Sequence, residues 1–109
     1  MNCEIRHEND VAVVSLAGDI DLESSPKVRA TLLSCVGLRK SVLVDMAAVS
    51  YIDSSGVASL VEAFQIAKNN KTAFGLAGVS LPAMRVLELA RLDQIFSIYE
   101  DVPQGLEDN

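Results

Sequence analysis

Three short runs rich in β-branched and apolar residues, Val11 to Leu16, Ser41 to Asp45 and Thr72 to Ala77, punctuate the chain. Between them, apolar residues return every three or four positions. Short continuous apolar runs suit strands covered on both faces, and a 3.6-residue period suits helices with one inward stripe. Strands that alternate with helices need parallel crossovers. The pattern therefore predicts an α/β domain built on a largely parallel sheet.

The opening differs. Cys3 to His7 alternates weakly, and Glu8-Asn9-Asp10 reads as a tight turn into Val11, which makes the first two strands an antiparallel hairpin. Gly18-Asp19-Ile20-Asp21 ends the second strand. Ser24-Ser25-Pro26 is a helix start, with a serine to cap and proline at the first helical position. Val28, Leu32 and Cys35/Val36 follow at helical spacing, and Gly37 supplies the stop. After the third strand and a loop, Tyr51 to Gly56 leads into a second helix with Val57, Leu60, Val61, Phe64 and Ala67 inward and Asn69-Asn70 at its end. Ser80-Leu81-Pro82 opens a third helix with Met84, Leu87 and Ala90 inward, and Ile95 to Tyr99 is read as a last strand. The expected order is β-β-α-β-α-β-α-β, with room for a short terminal helix. The expected product is a mixed sheet with helices mainly on one face. One domain spans 1–102, and the acidic segment 103–109 is expected to fray.

Composition narrows the function classes. The 109 residues fit one domain, and half are apolar, enough for a core without staples. Cys3 and Cys35 stand far apart with no CxxC or Cys/His grouping, which argues against a disulfide framework and a zinc site and fits a reducing compartment. The N-terminus lacks a basic segment followed by an apolar one, and the apolar stretch Ser41 to Ile52 is too short to span a bilayer. A cytoplasmic protein is expected. The formal charge is −6, and the nine basic residues are scattered, so neither nucleic acid nor an anionic membrane is an expected partner. A basic or mixed protein surface is.

The informative stretch is Asp53-Ser54-Ser55-Gly56, where a strand hands over to a helix. Asp53 or Ser54 can accept hydrogen bonds from the free amides of the first turn, and Gly56 permits close approach of another group. A helix N-terminus tolerates added negative charge, so a hydroxyl there can be switched without unfolding its helix. Alone, the four residues also read simply as an N-cap.

Their surroundings add to this. Leu16-Ala17-Gly18-Asp19-Ile20-Asp21, a Ser/Pro helix start, Val42-Leu43-Val44-Asp45 and Tyr51-Ile52-Asp53-Ser54-Ser55-Gly56-Val57 together resemble the STAS family of anti-sigma-factor antagonists, in order and spacing across nearly the whole chain. The resemblance implies an antagonist that binds an anti-sigma factor, itself a serine kinase, and so frees a sigma factor. It implies that Ser54 is the residue that kinase phosphorylates, that phosphorylation blocks the complex, and that a serine phosphatase restores it. It allows a second role, a constitutive STAS subunit clamping the ATPase of a bacterial lipid-transport complex. One departure is Ala90-Arg91-Leu92, where such proteins often carry a glycine; Arg91 is expected to cap the third helix by charge.

Other chemistries fit less well. Asp19, Asp21 and Asp53 could hold a divalent cation, but turn formation and capping account for them more simply, and no metal or cofactor is expected. Ser54 as a nucleophile would need a base; His7, the sole histidine, lies on the first strand and no G-x-S-x-G elbow exists. An enzyme is not expected. With Val57 placed inward, Ser55, Ser59, Glu62 and Ile66 fall on the outer side of the second helix. That side, with Asp21, Asp53 and Gly56, is the expected docking surface. Cys35 is read as a core residue.

Overall fold

The computed structural model describes residues 2–108; Met1 and Asn109, the outer limits of the expected domain and tail, lie outside them. The chain runs β1 (Asn2–Glu8), β2 (Val11–Ile20), α1 (Ser25–Val36), β3 (Ser41–Ile52), α2 (Ser54–Asn69), β4 (Phe74–Ala77), α3 (Leu81–Leu89), a 3-10 turn (Leu92–Gln94), β5 (Ser97–Tyr99) and α4 (Val102–Glu107). The five strands lie in sequence order, β1 antiparallel to β2 and the rest parallel. Asn9 and Asp10 both take positive φ, 52° and 65°, which is what a two-residue hairpin turn needs to follow the strand twist.

Sequential parallel strands joined by crossovers of one hand place every crossover helix on the same face. Ala12, Val14 and Leu16 of β2 and Val42, Val44 and Met46 of β3 point to that face, where they pack with Val28 and Leu32 of α1, Leu60 and Ala63 of α2, and Ala83 and Leu87 of α3. Phe64, Phe74 and Phe96 close the β4 end of this core with centroids 5.4–6.3 Å apart, Phe64 edge to face with each of the other two and those two tilted against each other. Val11, Val13, Leu43 and Ala77 point the other way, under Val102 of α4.

That second layer departs from the expected frayed tail. Asp101 caps α4 by accepting the Gln104 amide at 2.9 Å, and Gly105 sits so close to Leu43 that a Cβ there would lie 2.7 Å from its Cδ2. The apolar pair Val102 and Leu106 holds a segment whose surface residues read as polar tail. Residues 103–107 belong to the folded domain.

Other local expectations shift as well. β3 continues to Ile52 in place of the expected loop because it carries an extra residue twice against β2, between Ser15 and Ala17 and between Gly18 and Asp19. Ser24 bonds no helix amide. Its hydroxyl accepts from the Asp21 amide and donates to the Asp19 carbonyl, while the Asp21 carboxylate accepts from the Glu23 and Ser24 amides. After α1 it is Arg39, at φ 58°, that turns left-handed, not Gly37. In α3 Ala83 is buried where Ala90 was expected, and Ala90 is exposed at the helix end.

Arg91 does not cap by charge either. Its amide donates to the Glu88 carbonyl at 3.0 Å while its own φ is 60°, the left-handed conformation that glycine adopts without penalty. Arg91→Gly is expected to stabilise the domain by about 0.5–1 kcal/mol, read as a raised thermal midpoint.

Candidate functional site

β2 and β3 end side by side, with Ile20 opposite Ile52 and the Asp53 amide donating to the Ile20 carbonyl at 3.0 Å. The chain then turns sharply. Asp53 is extended, and its carboxylate accepts from the amides of Ser55 (2.9 Å) and Gly56 (3.2 Å) and from the Ser55 hydroxyl (2.5 Å). These donors hold the Asp53 carboxyl below its ordinary range, the Ser55 hydroxyl contributing most and the Leu22 amide adding a further bond. Asp53 is thus the cap and Ser55 its brace.

Ser54 occupies the first position of α2. Its side chain is exposed and bonds to nothing among the described residues. Two residues on, Gly56 is fully inside: a Cβ there would meet Ile20 Cγ2 at 2.5 Å and Ile52 Cγ1 at 2.8 Å. The close approach expected at Gly56 comes from the ends of β2 and β3, which seat the helix directly on the sheet. Gly56 itself is buried beneath the first turn of α2.

The docking face read from the helical period also rotates. The buried side of α2 is Gly56, Ser59, Leu60, Ala63 and Ala67, with Val57, Val61 and Phe64 only partly covered. Ser59 is buried and donates to the Ser55 carbonyl; Ile66 is half-buried and packed on the core. Neither belongs to an outer face. The reason is α1, which packs along this flank. Arg29 of α1 grips Glu62 bidentately at 2.7 and 2.8 Å, and that pairing lowers the Glu62 pKa, so its charge is met within the chain. Asp21 is half-buried with one carboxylate oxygen committed to the turn before α1.

What remains accessible around Ser54 is Ala58 on α2 and a groove between the starts of α1 and α2 lined by Pro26, Arg29, Ser55 and Ala58. Two exposed apolar side chains that the sequence reading passed over stand at the same sheet end: Leu22, 77% exposed in the turn after β2, and Tyr51, 49% exposed beside Asp19. Strand alternation carries the signal for Tyr51, since Ile52 points into the core and its neighbour must point out. Leu22 between Asp21 and Glu23 is an apolar residue in a polar turn, which is itself conspicuous.

Among the described residues no three His, Cys, Asp or Glu side chains converge as a metal site requires, and no helix is long and apolar enough to cross a membrane. His7 is exposed opposite Ala12, at the far end of β2 from Ile20 and the Ser54 turn. Cys35 is buried, and burial raises its thiol pKa.

A mixed five-stranded sheet, three helices on one face, a fourth on the other and a capped serine turn at one end define an α/β domain of the STAS type. The STAS domain model matches residues 2–105, and the chain belongs to that family. It is 28% identical over 108 residues to the anti-sigma-B factor antagonist of Bacillus subtilis, covering 98% of each. The crystal structure of an anti-sigma factor antagonist from Mycobacterium paratuberculosis superposes with a TM-score of 0.90 at 25% identity, over 98% of this chain and 92% of that one. The phosphorylated form of the Bacillus cell fate determinant SpoIIAA shares the fold, with a TM-score of 0.77 at 14% identity over 98% of both chains.

Proposed function

We propose that this protein is an anti-sigma-factor antagonist of the cytoplasm, which sequesters an anti-sigma factor that is also a serine kinase and is inactivated when that kinase phosphorylates Ser54. One observation carries the reading: the Ser54 hydroxyl is exposed and unbonded on a turn braced from within by Asp53, Ser55 and Gly56. A kinase can reach it, and its modification breaks no bond of the fold. The names of the relatives point the same way.

The electrostatics supply the switch. A phosphoserine adds roughly −1.5 to −2 charges at neutral pH. Asp53 already occupies the amides that would welcome an anion, and its lowered pKa keeps it ionised. Asp19, Asp21 and Glu23 lie on the adjoining turn. The added charge therefore stands unneutralised in an acidic rim, facing whatever surface docked over Leu22, Tyr51 and Ala58. A partner suited to that rim is basic at its edge and apolar at its centre. A serine phosphatase reverses the change.

The test is a calorimetric titration of the wild type, Ser54→Asp and Ser54→Ala against the anti-sigma factor kinase of the same genome. Ser54→Asp is expected to bind at least about tenfold more weakly, a loss of about 1.4 kcal/mol, and Ser54→Ala to bind like the unmodified wild type. Incubation with kinase and ATP should add one phosphate to the wild type and none to Ser54→Ala, by intact mass. Equal affinities for all three chains would remove the proposed switch.

A further inference from the structure

The long open edge of the sheet is β1. In the order β1-β2-β3-β4-β5 it has a single neighbour, and of its seven residues five are exposed and two half-buried, with Ile5 45% exposed. β5, at the other edge, has three residues. Such an edge presents a row of unpaired backbone groups.

The register identifies which groups those are. In a two-residue hairpin the closing pair, here Glu8 and Val11, exchanges both backbone bonds, and every second pair does the same. Asn2, Glu4, Arg6 and Glu8 thus turn their amides and carbonyls toward β2. Cys3, Ile5 and His7 turn theirs outward.

We propose that β1 pairs with the β1 of a second copy of this chain, antiparallel about a twofold axis through Ile5. In that register Ile5 faces Ile5, and Cys3 faces His7 on either side. These are the three residues whose backbone groups point outward, and all three fall on hydrogen-bonded pairs. The intervening pairs set Glu4 of each chain against Arg6 of the other, twice, so opposite charges meet across the seam. The Arg6 guanidinium, which donates to Glu8 of its own chain at 2.7 Å in an exposed pair, has further N–H donors to share with the incoming Glu4. Centring the axis on Cys3 would instead set Glu4 against Asn2 and leave Arg6, His7 and Glu8 without opposite numbers. Centring it on His7 would set Arg6 against Glu8 but Glu4 against Asp10, and would leave Cys3 without a strand partner. The Ile5 register is the one that pairs all three outward-facing residues without opposing like charges. It also covers Ile5, which lies opposite Val14 on the side of the sheet that holds the main core.

Charged edges usually deter pairing with other strands. Here the charges are arranged so that the deterrent is lifted for an identical partner, an isologous contact of the kind that closes on itself. One strand pair buries less than a standard interface of roughly 1,600 Å², so the dimer is weak and concentration-dependent. The Ser54 turns stay uncovered and face opposite ways.

Sedimentation velocity and amide exchange over a dilution series test this. The wild type is expected to dimerise as concentration rises, with slowed exchange at the amides of Cys3, Ile5 and His7. Glu4→Arg and Arg6→Glu, which set like charges across the seam, should each abolish association, and the double variant should restore it. Ile5→Pro should abolish it with the far-UV spectrum unchanged, since its amide bonds nothing in the monomer. A wild type that stays monomeric at every concentration, single variants that associate like the wild type, or a double variant that fails to recover would each overturn the proposal.

Discussion

Gly56→Ala is expected to lower the stability of the domain by about 1–3 kcal/mol, against the rule that alanine in a helix is better than glycine by about 1 kcal/mol. The added methyl would lie 2.5 Å from Ile20 Cγ2 and 2.8 Å from Ile52 Cγ1. Flexible side-chain ends can often yield, but both isoleucines are fully buried, packed among the ends of β2 and β3. Relief requires the first turn of α2 to lift from the sheet, and the Asp53 bonds to Ser55 and Gly56 oppose that. A thermal melt should show a midpoint roughly 5–15 °C lower. An unchanged midpoint would mean that the isoleucines repack freely and that the helix start is not held against the sheet.

Ending the chain at Glu100 is expected to cost more, about 2–4 kcal/mol, after the ordering entropy of the lost residues is set against lost burial. α4 covers Val11, Val13, Leu43 and Ala77 with Val102 and Leu106, and its loss leaves Tyr99 of β5 as the one other described apolar residue packed against them. The shortened chain should unfold at lower urea concentration and self-associate through the bared apolar face. A urea midpoint equal to that of the full chain would show that α4 is an appendage.

These two positions also mark how far the sequence could be read. Gly56 was legible as a site of close approach, because a glycine after a capping aspartate has few other reasons to be there. The group that approaches was not legible, since nothing local says that Ile20 and Ile52 end side by side. α4 was obscured by its chemistry. It contributes two apolar anchors, Val102 and Leu106, too few for a period, and its glycine resembles a breaker although it serves as a spacer over Leu43. The order of strands and helices came from periodicity together with the turn and capping residues between the runs. Of the inward stripe expected on α2, Leu60 and Ala67 are fully buried, whereas Val57, Val61 and Phe64 pack at the core's edge and Gly56, Ser59 and Ala63 lie deeper, because hydrophobicity outweighs smallness in a sequence pattern. The structure inverts that weighting: the small residues let α2 lie close against α1 and the sheet, and the larger ones sit at the margin. β3 was cut short because Ala47, Ala48 and Ser50 break its pattern, which two bulges accommodate.

Because the sheet is apolar on its upper and lower sides at Val42-Leu43-Val44, sliding β3 by a single residue would trade one greasy side chain for another. Contact with water therefore cannot police the alignment there. Volume must: valines sit under the large helical layer, and a leucine fits the notch over Gly105. An insertion inside this strand would be registered as misfitting shapes, leaving a compact molecule with a loosened interior rather than an unfolded one.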